Sequence, residues 1–198
     1  MRAWQATLVL AVLVPATARP QVLAAMTPDH VREALQWGLA AAESDLDQYE
    51  LRTDRTWLVN FDTPFLRVAQ FSRAMKIQST PVTEADVSPK LASPEFHLYA
   101  HARADLAGGG RLPNIDYVVI QRPRPAGPSE TILPSSVQSY VRRVPVDADY
   151  MGPTRVARSV KASFPLRALA AGNEVRLMFE GGASHTFTMT PEVLARVR

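Results

Sequence analysis

The stretch that decides the fold is residues 96–103, which reads FHLYAHAR. Apolar and polar side chains alternate through it, which is the period of a β-strand with one buried face. The face predicted to be buried carries Phe96, Leu98 and Ala100. The opposite face, predicted to face solvent, carries His97, Tyr99 and His101, and Arg103 extends it. The register is decided by energy, because burying Phe or Leu is worth roughly 1.5–3 kcal/mol each whereas buried imidazoles need polar partners.

The polar face of this strand is the candidate binding site, with residues His97, Tyr99, His101 and Arg103. An aromatic ring flanked by imidazoles and a guanidinium is suited to stacking on a sugar or to contacting an acidic partner. The alternative is an ordinary polar outer face, which every half-exposed antiparallel sheet presents. Two histidines four residues apart on a strand are roughly 13 Å apart and cannot share one ion. The sequence therefore predicts no metal site. It also predicts no cofactor and no catalytic residue.

Further segments have the composition and alternation of strands, and proline and glycine separate them. These segments are residues 56–61, 115–121, 155–164, 174–180 and 184–189, and residues 132–144 contain another strand around VQSYVRRV. Gly181 and Gly182 between the last two indicate a hairpin. The predicted fold class is mainly β with N-terminal helices (α+β). The architecture expected is an antiparallel β-sandwich or partly open barrel, preceded by one or two amphipathic helices.

A threonine followed by a proline marks the start of each predicted helix. Thr27 opens a helix from about Pro28 to about Asp47, in which apolar residues recur at helical spacing. Thr63 opens a second helix over residues 64–77. The apolar stripe of the first helix favours docking on the body over a free arm. Gly38 within it costs about 1 kcal/mol relative to alanine unless another element approaches closely there.

Residues 1–18 have the features of a cleaved export signal, because Arg2 precedes an apolar run and Ala16 and Ala18 form a small-residue cleavage pattern. The mature chain is predicted to start at Arg19 and to be periplasmic or extracellular. The apolar run is shorter than the roughly 20 residues of a membrane helix, so no membrane span is expected after cleavage. The predicted division is a signal peptide at 1–18, an N-terminal helical segment at 19–55 and a mainly-β, sandwich-like domain at 56–198.

Composition and motifs narrow the function classes. The 198 residues include no cysteine, which excludes disulfides and thiolate chemistry. The net charge is +3 and the arginines are scattered, so no nucleic-acid partner is predicted. Neither the Gly-x-Ser-x-Gly motif of serine hydrolases nor the His-Glu-x-x-His motif of zinc peptidases occurs in the sequence.

These observations favour an exported, non-enzymatic binding or interaction module of the bacterial envelope, whose partner is a protein or a glycan. The alternative is a hydrolase or metal-handling protein with a site assembled from residues distant in sequence. Neither the ligand nor the oligomeric state follows from the sequence.

Overall fold

Two antiparallel sheets form the fold in a computed structural model, which describes residues 26–53, 57–102, 114–145 and 154–198. The strands are β1 (Tyr49–Thr53), β2 (Trp57–Asp62), β3 (Glu95–Ala102), β4 (Ile115–Arg122), β5 (Glu130–Ile132), β6 (Ser136–Pro145), β7 (Thr154–Pro165), β8 (Glu174–Phe179) and β9 (Ser184–Thr188). The first sheet has the order β1-β2-β3-β7-β6, and the second has the order β5-β4-β8-β9.

The hydrophobic core lies between the two sheets and takes side chains from both. In the first sheet, Phe96 packs against the rings of Phe61 and Phe164, with ring centroids 6.1 Å and 5.7 Å apart. In the second sheet, Ile120 and Leu177 are fully buried. Among the described residues, no strand of one sheet pairs with a strand of the other. The predicted mainly-β, antiparallel α+β class is confirmed, and the architecture is an open sandwich rather than a barrel.

Strand β3 occupies the centre of the first sheet, between β2 and β7. The predicted register of its apolar face is confirmed, because Phe96, Leu98 and Ala100 have no exposed surface. The hairpin predicted near the C-terminus is also confirmed, since β8 pairs with β9 in antiparallel register.

Three helices accompany the sheets in the described part of the chain: α1 (Pro28–Ala40), α2 (Pro64–Ile77) and α3 (Pro191–Leu194). The predicted caps are confirmed, because Thr27 and Thr63 each accept a hydrogen bond at 3.3 Å from the backbone N–H three residues later. Helix α1 packs against α2, so the docking predicted from its apolar stripe is confirmed. Gly38 lies at this contact and makes the close approach possible, because a Cβ there would overlap the carbonyl group of Ala69.

The predicted end of the first helix, near Asp47, is wrong. Helix α1 ends at Ala40, and a 3₁₀ turn at Glu43–Leu46 follows it. The turn buries Leu46 against Leu66 and Ala69 of α2, so this apolar residue serves a tertiary contact and not a continued helix. The chain then enters β1, which pairs with β2 and was not predicted as a strand.

The short strand β5 pairs with β4 and was not predicted as a separate element. Residues 1–25, which contain the predicted export signal, lie outside the described residues, and so does Arg103. Within residues 26–53, 57–102, 114–145 and 154–198, no helix is long and apolar enough to cross a membrane.

Candidate functional site

The candidate site lies on the face of the first sheet that points away from the core. Strand pairing sets Asp62 of β2 opposite His97 of β3, and it sets Asn60 of β2 opposite Tyr99. On the other side of β3, Tyr99 is paired with Lys161 of β7. Because cross-strand partners point to the same face, the sheet brings these polar side chains together from three separate parts of the chain.

Helix α2 covers the His97 end of this face. Asp62 ends β2, Thr63 caps α2, and Arg67 therefore lies about one helical turn beyond Asp62. The Arg67 Nη1 donates to Asp62 Oδ1 at 2.7 Å. The same guanidinium donates to three backbone carbonyl oxygens of the segment that leads into β3, those of Leu91 (3.2 Å), Ser93 (3.1 Å) and Glu95 (3.0 Å).

The prediction that His97 faces solvent is wrong. Only 9% of His97 is exposed, because α2 and the segment before β3 lie over that end of the sheet. The Arg67 side chain is itself only 7% exposed. A buried guanidinium is tolerated here because four of its five N–H groups have acceptors and a carboxylate balances its charge.

Asp62 is the charged centre of the site. Besides its bond to Arg67, it accepts a hydrogen bond at 2.9 Å from the Tyr99 hydroxyl to Oδ2. The His97 Nδ1 lies 3.4 Å from Asp62 Oδ1, which is an electrostatic contact without hydrogen-bond geometry. Burial alone raises the pKa of the Asp62 carboxyl, but the contacts with His97 and Arg67 outweigh it and hold the pKa below its ordinary value. Asp62 is therefore ionised at neutral pH.

Tyr99 and Lys161 form the more accessible part of the site. The Lys161 Nζ lies 5.3 Å from the centroid of the Tyr99 ring, within cation–π range. Burial, together with the Asp62 charge, raises the pKa of Tyr99. Its hydroxyl therefore stays protonated as the donor to Asp62. Burial lowers the pKa of Lys161; Asp62 opposes this shift, and the charges of Arg67 and Lys90 add to it.

These groups line a groove of about 570 Å³ between α2 and the sheet. We call it the outer groove, and it is lined by Gln48, Asp62, Arg67, Gln70, Phe71, Ala74, Ser88, Lys90, Leu91, His97, Tyr99 and Lys161. His101 is not among its lining residues. The Tyr140 hydroxyl lies 3.1 Å from His101 Nδ1, and the two rings pack edge to face with centroids 5.7 Å apart.

The structure thus brings together two of the four predicted binding residues, His97 and Tyr99, and separates His101 from them. The fourth, Arg103, is outside the described residues. Sequence reasoning missed Asp62, Arg67 and Lys161. The available signal was the order Asp62-Thr63-Pro64, in which an acid ends a strand where a helix begins and an arginine follows one turn later.

The described part of the chain contains no group of three histidine, aspartate or glutamate side chains placed to hold a metal ion. Comparison with protein-family models, with curated proteins and with solved structures finds no match to this chain. The fold and the outer groove therefore define the protein only as an antiparallel two-sheet protein with a polar groove on one sheet.

Proposed function

We propose that this chain is an exported, non-enzymatic binding module of the bacterial envelope and that the outer groove takes a glycan. The observation that carries the proposal is the convergence of charged, amide and hydroxyl groups beside the Tyr99 ring in one groove. Ligand sites combine a concave surface with a few convergent polar groups in this way. Amide and hydroxyl groups such as those of Gln48, Gln70 and Ser88 match the hydroxyls of a sugar.

The size of the groove favours a glycan over a folded protein partner. A volume of about 570 Å³ lies inside the range of about 300–1,000 Å³ that is typical of small-ligand sites. A protein interface instead needs roughly 800 Å² of surface on each partner. One or two sugar rings match the space between α2 and the sheet.

The chemistry of the groove favours binding over hydrolysis. Glycoside hydrolysis in most families uses two carboxyl groups, one of which donates a proton. Among the described lining residues Asp62 is the sole carboxylate, and its lowered pKa makes it a poor acid. Its oxygens already accept bonds from Arg67 and Tyr99, so Asp62 orders the site and does not face a substrate.

The binding proposal is tested with two variants of one residue. Tyr99→Ala is expected to weaken binding of the best saccharide from a panel of neutral and acidic disaccharides by about tenfold, which is about 1.4 kcal/mol. Tyr99→Phe keeps the ring and loses only the hydroxyl, so its affinity is expected to stay within about threefold of the unmodified protein. Titration calorimetry gives the affinities, and thermal melts separate binding from stability. Equal binding by the alanine variant would show that Tyr99 does not contribute to the binding site.

Export is tested separately by the mass of the secreted chain. We expect the protein recovered from the periplasm or medium of an expressing bacterium to begin at Arg19, because the Ala16-x-Ala18 pattern follows the apolar run. Intact-mass measurement locates the first residue. Retention of residues 1–18 would contradict cleavage, and recovery of the chain only from the cytoplasm would contradict export.

A further inference from the structure

The outer groove has an excess of positive charge. Three cationic side chains line it, those of Arg67, Lys90 and Lys161, against the single carboxylate of Asp62. Arg67 and Asp62 neutralise one another at 2.7 Å, and neither has much capacity left for a ligand. The two lysines remain, and no carboxylate of the described chain lies within ion-pair distance of either ammonium.

Lys161 is more restrained than an ordinary surface lysine. It lies on β7 in register with Tyr99, it is partly buried, and its ammonium sits over the Tyr99 ring. Tyr99 in turn is fixed by its hydrogen bond to Asp62. Lys90 is exposed and also lines the groove, and it precedes Leu91, whose carbonyl oxygen accepts a hydrogen bond from Arg67. A charge whose carrier is already ordered loses little conformational entropy when it binds an anion.

We propose that the glycan bound in the outer groove is acidic, and that its sugar carboxylate lies between the ammonium groups of Lys161 and Lys90. This inference rests on the proposed function and names the ligand class of the same site. The lowered pKa of Lys161 agrees with it, because burial and the nearby cations disfavour its charged form until an anion is present. Neutral saccharides lack the group that would compensate these charges.

The experiment compares matched sugars that differ only in the carboxylate: methyl glucuronide with methyl glucoside, and methyl galacturonide with methyl galactoside. We expect the better acidic sugar to bind at least about tenfold more tightly than its neutral partner. Its affinity is expected to fall as the salt concentration rises from about 0.05 M to about 0.3 M, because the ammonium groups are solvent-accessible. The affinity of the neutral sugar is expected to stay constant.

Variants of Lys161 assign the effect to the groove. Lys161→Met removes the charge and keeps an unbranched stem, and it is expected to lower the ratio of acidic-sugar to neutral-sugar affinity from at least about tenfold to about one. Lys161→Arg is expected to keep the preference. The matched control is Lys76→Met, because Lys76 lies on α2 outside the groove and donates to the carbonyl oxygen of Leu39. That variant is expected to bind both sugars like the unmodified protein.

The outcomes separate the two proposals. Equal affinity for the acidic and neutral sugars overturns the acidic-ligand inference and leaves the glycan-binding proposal standing. Absence of binding by all four sugars at about 1 mM overturns both. Acetate that binds as tightly as the acidic sugars shows a site for simple anions, and this result also overturns the assignment to a saccharide.

Discussion

Replacing Arg67 with methionine is expected to lower the free energy of unfolding by about 3–5 kcal/mol, the largest effect we predict for a single charge in this protein. The change leaves the Asp62 carboxylate buried without its cation. It also removes the donors to the backbone carbonyl oxygens of Leu91, Ser93 and Glu95. Urea denaturation at neutral pH measures the loss.

Two further variants show whether the loss of stability comes from the unpaired, buried carboxylate of Asp62. Arg67→Met combined with Asp62→Asn removes both charges, and the double variant is expected to be more stable than Arg67→Met alone, because an uncompensated buried carboxylate is the main penalty. Arg67→Lys keeps the charge but cannot reach all four acceptors, so an intermediate loss is expected. A loss below about 1 kcal/mol for Arg67→Met would show that the Arg67 contacts with Asp62 and the backbone contribute little to stability.

The same ion pair predicts how stability depends on pH. The pKa of Asp62 is lowered in the folded protein, so its contribution is fully present above the ordinary aspartate pKa of about 3.9 and is lost as the pH falls through the lower folded value. A protonated Asp62 needs no cation. In Arg67→Met the cation that lowers the pKa of Asp62 is gone, so this pKa is higher in the variant than in the unmodified protein. The stability difference between the two proteins is therefore expected to narrow as the pH falls from the higher pKa of the variant to the lowered pKa of the unmodified protein. Urea titrations from neutral to acidic pH measure it.

Gly38→Ala is expected to destabilise the protein by about 1–3 kcal/mol, although alanine is the better helix former by about 1 kcal/mol. A Cβ on Gly38 would overlap the carbonyl oxygen of Ala69 and lie 2.8 Å from its carbonyl carbon and 2.9 Å from its Cα. All three atoms belong to the backbone of α2 and cannot rotate away. The two helices must therefore separate, which weakens the packing around Ala34, Leu35 and Val68.

The control for Gly38 is an exposed position on the same helix. Gln36 is exposed on α1, so the difference between Gln36→Gly and Gln36→Ala gives the helix propensity without the clash. We expect the protein with alanine to be more stable than the protein with glycine at position 36, and less stable at position 38. Thermal or urea denaturation of the three variants and the unmodified protein gives the signs, and stabilisation by Gly38→Ala would show that the helices are not in close contact.

Where a structural signal is local, the sequence predicted it correctly. The alternation in residues 96–103 predicted which face of β3 is buried, because the identity of neighbouring side chains decides a strand's register. The Thr27-Pro28 and Thr63-Pro64 pairs predicted two helix starts, because a cap bonds to an N–H only three residues away. Gly181 and Gly182, both with positive φ, predicted the β8–β9 turn.

At the end of α1 and at β1, the structure differs from what the sequence predicted. Ala42 and Leu46 continue a helical spacing, yet Leu46 instead packs in a 3₁₀ turn against α2. Strand β1, YELRT, does alternate Tyr49 and Leu51 with Glu50 and Arg52, but these five residues follow directly on a helical pattern and were assigned to the N-terminal helical segment. The position of Leu46 depends on residues of α2 that are distant along the chain, so no local pattern contains it.

By itself, the sequence determined the strand faces, the helix starts, the terminal hairpin and the absence of thiol chemistry, because each depends on composition or on neighbours a few residues apart. The tertiary structure alone decided the candidate site. Arg67 is buried because its acceptors lie on Asp62 and on a segment about 25 residues further along the chain, and Lys161 meets Tyr99 because β7 pairs with β3. Burial and pairing of charges arise only when these segments come together, and this is the physical reason that the outer groove could not be predicted.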